Sequence, residues 1–133
     1  MELPRPEISE LTRPYHEALA AGHLVVQRCA CGHAWLPARR LCPSCLQATV
    51  RWERVSGRGR LLSWVVYHTA YHPAFADRLP YNVALVELDE GPRLITNMTD
   101  DVPSLRGDAR VMLQIEHDGD LPLARFRLTQ ADA

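Results

Sequence analysis

The sequence predicts a mainly β protein: a short N-terminal helix, a small cysteine-held ribbon, then a five-stranded barrel of OB type. Three observations carry this expectation. All four cysteines, Cys29, Cys31, Cys42 and Cys45, fall as two close pairs with a ten-residue loop between them. After Ser56 the chain breaks into five strand-like runs separated by mostly short turns. Only one stretch, before Gly22, carries apolar residues at helical spacing. A chain of 133 residues is one domain, or one domain with a small satellite. Three segments are expected: an extended arm and helix over 1–22, the ribbon over 23–55 and the barrel over 56–133.

Pro4 and Pro6 disfavour helix, so the first eleven residues read as extended. Thr12 is placed to cap a helix running to Ala21. Pro14 lies in its first turn, where a missing N–H costs little, and Gly22 terminates it. Tyr15, Ala18, Leu19 and Leu11 form the apolar stripe. So short a helix is marginal alone and must dock, on its own domain or on a partner chain.

From His23 the pattern changes. Residues 23–28 (HLVVQR) are β-branched and lead into Cys29. Gly32 gives the first turn its freedom. Residues 34–36 make a second short strand that Pro37 ends, and residues 49–55 alternate as a third. Arg39 and Arg40 lie in the loop before the second cysteine pair. Such a ribbon is too small for a core of its own. Residues 56–59 (SGRG) mark a boundary. The barrel strands then read as 60–69, 81–88, 93–98, 110–116 and 121–128, with a proline-bounded loop at 72–80 and no helix. The last five residues, TQADA, are expected to fray.

Two close cysteine pairs a hairpin apart read as one tetrahedral thiolate site. Soft sulfur ligands in a closed shell favour zinc. Four thiolates leave no open position, so the metal is structural rather than hydrolytic. His33 follows the first pair by two residues and is the alternative ligand in place of one cysteine. An iron-bearing electron carrier is the other metal reading. No serine has nucleophile-elbow glycines, and the SGRGR run lacks the lysine and helix of a phosphate loop. His68 and His72 sit near the end of the first barrel strand with Tyr67 and Tyr71. They are candidates for metal or acid–base work, against a plainer reading as an exposed aromatic edge. Trp35, Trp52, Trp64, Tyr67 and Phe75 serve equally as core or as base-stacking residues of a single-stranded nucleic-acid module.

Charge separates along the chain. All fifteen basic residues are arginine. Residues 28–60 hold seven of them against one acid, Glu53, whereas residues 61–133 hold six against eleven acids. A basic ribbon therefore precedes an acidic barrel. That suits a phosphate or an acidic partner at the ribbon, and it disfavours a nucleic-acid track on the barrel. No apolar run is long enough to span a bilayer. The start, MELPRPEISELTRP, is acidic and proline-rich, unlike an export leader, so a cytoplasmic location and reduced, metal-binding cysteines are expected.

Taken together, HEALAAGHL, QRC-CG, LPARRLCPSC, W-x-x-x-SGRGRLLSW and PAFADRLPYNVALVELDEGPRLITN resemble a known family. Its members carry a rubredoxin-like zinc ribbon followed by an OB-fold and partner thiolase-like enzymes of the lipid-transfer-protein type. The match covers nearly the whole chain. One departure is the first cysteine pair, where the family usually has two intervening residues and this chain has only Ala30. The resemblance implies a non-catalytic accessory subunit of a hetero-oligomer. The partner supplies the nucleophilic cysteine and acts on acyl-CoA or related acyl substrates by acyl transfer or carbon–carbon bond making or breaking. It implies structural zinc on Cys29, Cys31, Cys42 and Cys45, and a share in holding coenzyme A. Arg39, Arg40, Arg58 and Arg60 are the candidates for its phosphates or for partner contact. Helix 12–21 and loop 71–80 are candidate docking elements.

Overall fold

The structure is a computed structural model that describes residues 7–129. The expected extended start at Pro4 and Pro6 and the fraying of residues 130–133 lie outside the described residues, whereas Thr129, the first of the five expected to fray, donates its N–H to the Arg110 carbonyl at 3.1 Å. Helix α1 (Arg13–Ala20) has proline in its first turn and is followed by Gly22 at φ +96. Ala18 and Leu19 are buried and Tyr15 packs against the core. Thr12 occupies the cap position but its hydroxyl does not cap the helix. It accepts the Ser9 N–H at 2.9 Å, while the Arg13 N–H donates to the Ser9 carbonyl at 2.9 Å. The turn before the helix has claimed the side chain that the sequence assigns to the cap.

The ribbon is a three-stranded antiparallel sheet. β1 (Leu24–Cys29) lies between β2 (Ala34–Trp35) and β3 (Val50–Val55). Leu24 to Gln27 are all buried, because β1 is covered on both faces. The buried Gln27 places its Oε1 to accept the Arg39 N–H at 2.6 Å. One buried amide thus pins the arginine loop to the sheet.

The second sheet has five antiparallel strands: β4 (Arg58–Tyr67), β5 (Tyr81–Leu88), β6 (Arg93–Thr96), β7 (Arg110–Asp118) and β8 (Leu121–Leu128). Their order is β6-β5-β4-β7-β8. β5 buries every second residue, as its alternating sequence requires. Past β6 the chain curls against β8 and closes the sheet. Met98 forms a parallel bridge with Phe126, and the Thr99 N–H donates to the Phe126 carbonyl at 2.9 Å. Buried Asn82, on β5, holds Met98 in place beside this seam. Its Nδ2 donates to the Met98 carbonyl at 2.9 Å and its Oδ1 accepts the Met98 N–H at 2.7 Å. This is the strand order of an OB barrel.

The strands expected to end at 69, 98 and 116 end instead at Tyr67, Thr96 and Asp118, and two further expectations change. β4 begins at Arg58 rather than Arg60, because Gly59 is a strand residue. A Cβ there would lie 2.3 Å from the Glu87 carbonyl oxygen, so only glycine lets β4 and β5 approach. The loop at 72–80 contains a 3-10 helix, Pro73–Arg78, and a second one spans Val102–Ser104; each starts at or beside a proline whose fixed φ suits a tight turn.

Leu19, Leu24, Val26 and Val55 belong to the same buried cluster as Leu61, Val86, Leu88 and Phe126. Helix, ribbon base and barrel therefore share one core. No helix among the described residues is long and apolar enough to cross a membrane.

Candidate metal centre and adjoining surfaces

The four cysteines converge from two knuckles at the far end of the ribbon. Their sulfurs all lie within 4.8 Å of one another, with Cys29 and Cys45 3.5 Å apart and Cys31 and Cys42 3.7 Å apart. A tetrahedron of sulfurs around zinc has edges of roughly 3.8 Å, from Zn–S bonds of about 2.3 Å. The residues present fit a metal ion, with two of the sulfur pairs already near that edge length. His33 is not in the group; its ring stacks on Trp35 at 5.7 Å.

Each knuckle aims backbone donors at sulfur. The N–H groups of Ser44 and Cys45 reach Cys42 Sγ at 3.4 and 3.5 Å. A backbone N–H at Cys31 and the Thr49 hydroxyl, 3.4 Å away, serve Cys29. The single residue between Cys29 and Cys31 therefore still leaves both sulfurs facing inward. Thr49 is a contributor that the cysteine spacing alone does not reveal. The residue after each pair is left-handed: Gly32 at φ +97 and Leu46 at φ +63. Leu46 takes this conformation against its own Cβ, because its N–H must reach the Cys42 carbonyl at 2.8 Å.

The donors set the protonation of the metal-free thiols. The Cys31 N–H, then the Thr49 hydroxyl, pull the Cys29 thiol down to about 6. Burial pushes Cys42 up, but the N–H groups of Cys45 and Ser44 outweigh it and the thiol is lowered. At Cys45 the backbone N–H of Gln47 favours the thiolate, yet burial and the three neighbouring sulfurs prevail and push it up to about 12. Four thiolates cannot coexist here without a cation to neutralise them.

The remaining candidates are spread out. Arg39 and Arg40 are exposed beside the ribbon tip, and Arg58 is exposed at the start of β4. Arg60 is held by Glu87 at 3.1 Å and by Asp108 at 2.7 Å. The four arginines thus do not form a single cluster on one element. His68 is exposed, and His72 lies past the end of β4, where its Nδ1 accepts the Ala74 N–H at 3.0 Å. Its place is that of a cap for the 3-10 helix. Trp35 is buried and Trp64 packs on the core, which removes both as stacking residues. Tyr67, Tyr71, Phe75 and Tyr81 make a chain of ring contacts at one end of the barrel, with Tyr71 81% exposed.

Comparison with known proteins adds the following. A family model described as the ChsH2 C-terminal OB-fold domain matches residues 52–116. The chain is 40% identical over 129 residues to a probable enoyl-CoA hydratase alpha subunit of Thermomonospora curvata, covering 93% of this chain and 39% of that protein. It is 34% identical over 95 residues to a DUF35 domain-containing scaffold protein of Methanocaldococcus jannaschii, covering 70% of this chain and 64% of that one. It therefore spans less than two thirds of the length of either relative. Among solved structures it is similar to a chain of the Ltp2-ChsH2(DUF35) aldolase, with a TM-score of 0.82 and 36% identity over 93% of this chain and 98% of that one.

Proposed function

This chain belongs to the DUF35 family, and on that premise we propose that it is the accessory subunit of a thiolase-like acyl-CoA enzyme. One observation carries the reading. The likeness to the DUF35 chain of the Ltp2-ChsH2 aldolase runs over 98% of that chain, ribbon and barrel together. The names of two of the relatives belong to consecutive chemistry. Hydration of an enoyl thioester yields a β-hydroxyacyl thioester, and an aldolase breaks the bond beside such a hydroxyl. The substrate proposed is accordingly an acyl-CoA held by the partner.

The catalytic cysteine and its histidine are placed on the partner. All four cysteines of this chain are gathered into one cluster, and His72 is committed to a turn. Zinc on Cys29, Cys31, Cys42 and Cys45 staples the ribbon and so shapes the loop bearing Arg39 and Arg40. When bound, the metal supplies charge neutralisation and cross-linking, not a reactive water. Arg39, Arg40 and Arg58 are proposed to meet the partner's acidic groups or the coenzyme phosphates. Arg60 has less to offer an outside anion, since two carboxylates already hold it.

The test is affinity purification of the tagged full chain from its native extract. One stoichiometric partner is expected, carrying a cysteine that haloacetamides alkylate and consuming or forming acyl-CoA. Charge reversal at Arg39 and Arg40 should weaken its retention. A chain that emerges alone and monodisperse at low salt would refute the subunit reading.

A further inference from the structure

A groove crosses the junction of helix, ribbon and barrel, and none of the four cysteines lines it. Its volume is about 720 Å³, the size of a small-molecule site. Helix α1 contributes Tyr15 and Leu19, the loop after β2 contributes Leu36, and the barrel contributes Leu85 and Leu123. The walls are thus largely aliphatic and come from three distant regions of the sequence.

Two cations line this apolar space, and their pairing is the reverse of what exposure predicts. Arg93 is 61% exposed and holds Glu87 at 3.0 Å. Arg125 is 22% exposed, yet its carboxylate partner, Glu116, stands 3.8 Å away. A guanidinium withdrawn from water needs a close anion, because desolvating it costs several kcal/mol. His16 lines the same groove, and its Nδ1 is buried without a hydrogen-bond partner. Glu7, the acid in the lining, is exposed at the rim, where water screens it.

We propose that this groove binds an anionic amphiphile, with an aliphatic body along Leu19, Leu36, Leu85 and Leu123 and a carboxylate on Arg125. The site requires no partner chain, so it stands apart from the subunit reading. A carboxylate head completes the pairing that Glu116 leaves loose, and the aliphatic body covers the half-buried Leu36, Leu85 and Leu123 over the buried Leu19.

The full chain would be titrated by calorimetry with sodium decanoate and, in parallel, with decanol. Saturable binding of decanoate at one site is expected, with decanol weaker by roughly tenfold or more, the worth of one charge-assisted contact. Arg125→Gln should lose a similar factor, and Arg93→Gln should bind as the parent does. Ile95 lines the groove and is 77% exposed, so Ile95→Asp adds an anion there without disturbing the core. It should weaken decanoate by roughly tenfold, and it decides the matter alone if Arg125→Gln does not fold. Absence of saturable decanoate binding, equal affinity for decanol, or unchanged binding by Ile95→Asp would each overturn the proposal. So would an equal loss in Arg93→Gln, which would make the effect one of surface charge.

Discussion

Removing the proposed zinc should loosen the tip of the ribbon and leave its base standing. The ribbon's residues are divided between two buried clusters. Leu24, Val26 and Val55 belong to the barrel core, whereas Cys29, Trp35 and Cys42 form a separate group with Cys45 and Val50. Burial of Trp35 contributes about 3 kcal/mol. Ordering each residue of the intervening loop costs about 1–2 kcal/mol, so that burial cannot hold the tip alone. Zinc contributes on the order of 10 kcal/mol to a small site of this kind. Two amides report on the tip: Ala30 donates to the Thr49 carbonyl at 3.1 Å, and Cys42 to that of Gln47 at 2.9 Å. On chelation their hydrogen exchange should accelerate by about a thousandfold, equivalent to about 4 kcal/mol of lost protection. The Val26 amide should change by less than about tenfold, because its side chain stays in the shared core. The assay is hydrogen–deuterium exchange on the full chain with and without chelator, with metal content measured on the same samples. Cys42→Ala should reproduce the chelated pattern, since it also removes the acceptor used by Ser44 and Cys45. Equal acceleration at Val26 and Phe126 would show that the metal holds the whole fold. Unchanged exchange at Ala30 and Cys42 would show that it holds nothing.

Gly59→Ala should destabilise the barrel by roughly 3 kcal/mol in urea unfolding, because the new methyl collides with the Glu87 carbonyl and must push β4 away from β5. A loss under about 1 kcal/mol would contradict the packing described. Leu46→Gly relieves a left-handed backbone costing about 1–2 kcal/mol, against about 0.5–1 kcal/mol of added chain entropy. A thermal melt should show a small gain, and a clear loss would count against strain at this position. Glu87 is held below the ordinary carboxylate range by Arg93 and then Arg60, and Asp89 by Arg110. Depressed carboxyls contribute stability above the usual range and lose it as pH falls through their folded values. The melting temperature should therefore drop as pH falls below about 4, and Glu87→Gln should flatten that drop.

Much of the architecture is legible in residue type alone. Residues 81–88 and 121–128 are strands to the residue, because alternation and turn signals agree at both ends. The cysteine pairs announce their convergence by spacing. What the sequence hides depends on contacts between distant segments. Gly59 reads as a break, and only the backbone of β5 across from it explains why a glycine continues the strand. Thr12 reads as a cap because competition from Ser9 is a matter of local geometry. Arg60 looks like its arginine neighbours until Asp108, far along the chain, is found beside it. The groove at Arg125 has no linear signal, since helix, ribbon loop and three strands each supply only a fraction of its wall.

Asn82 gives the barrel seam a property that ordinary strand pairing lacks. Its side-chain amide offers the same donor and acceptor as a peptide unit, and it meets one residue, Met98, on both sides. The barrel is in this sense a rolled sheet fastened by a latch. A peptide ladder can slip by two residues and still pair, whereas a single side chain fits one position only. The latch therefore fixes the extension of β6 against β5, so that Met98 is held where it bridges to Phe126 of β8. One side chain on β5 thus holds in place the point at which the sheet closes on β8.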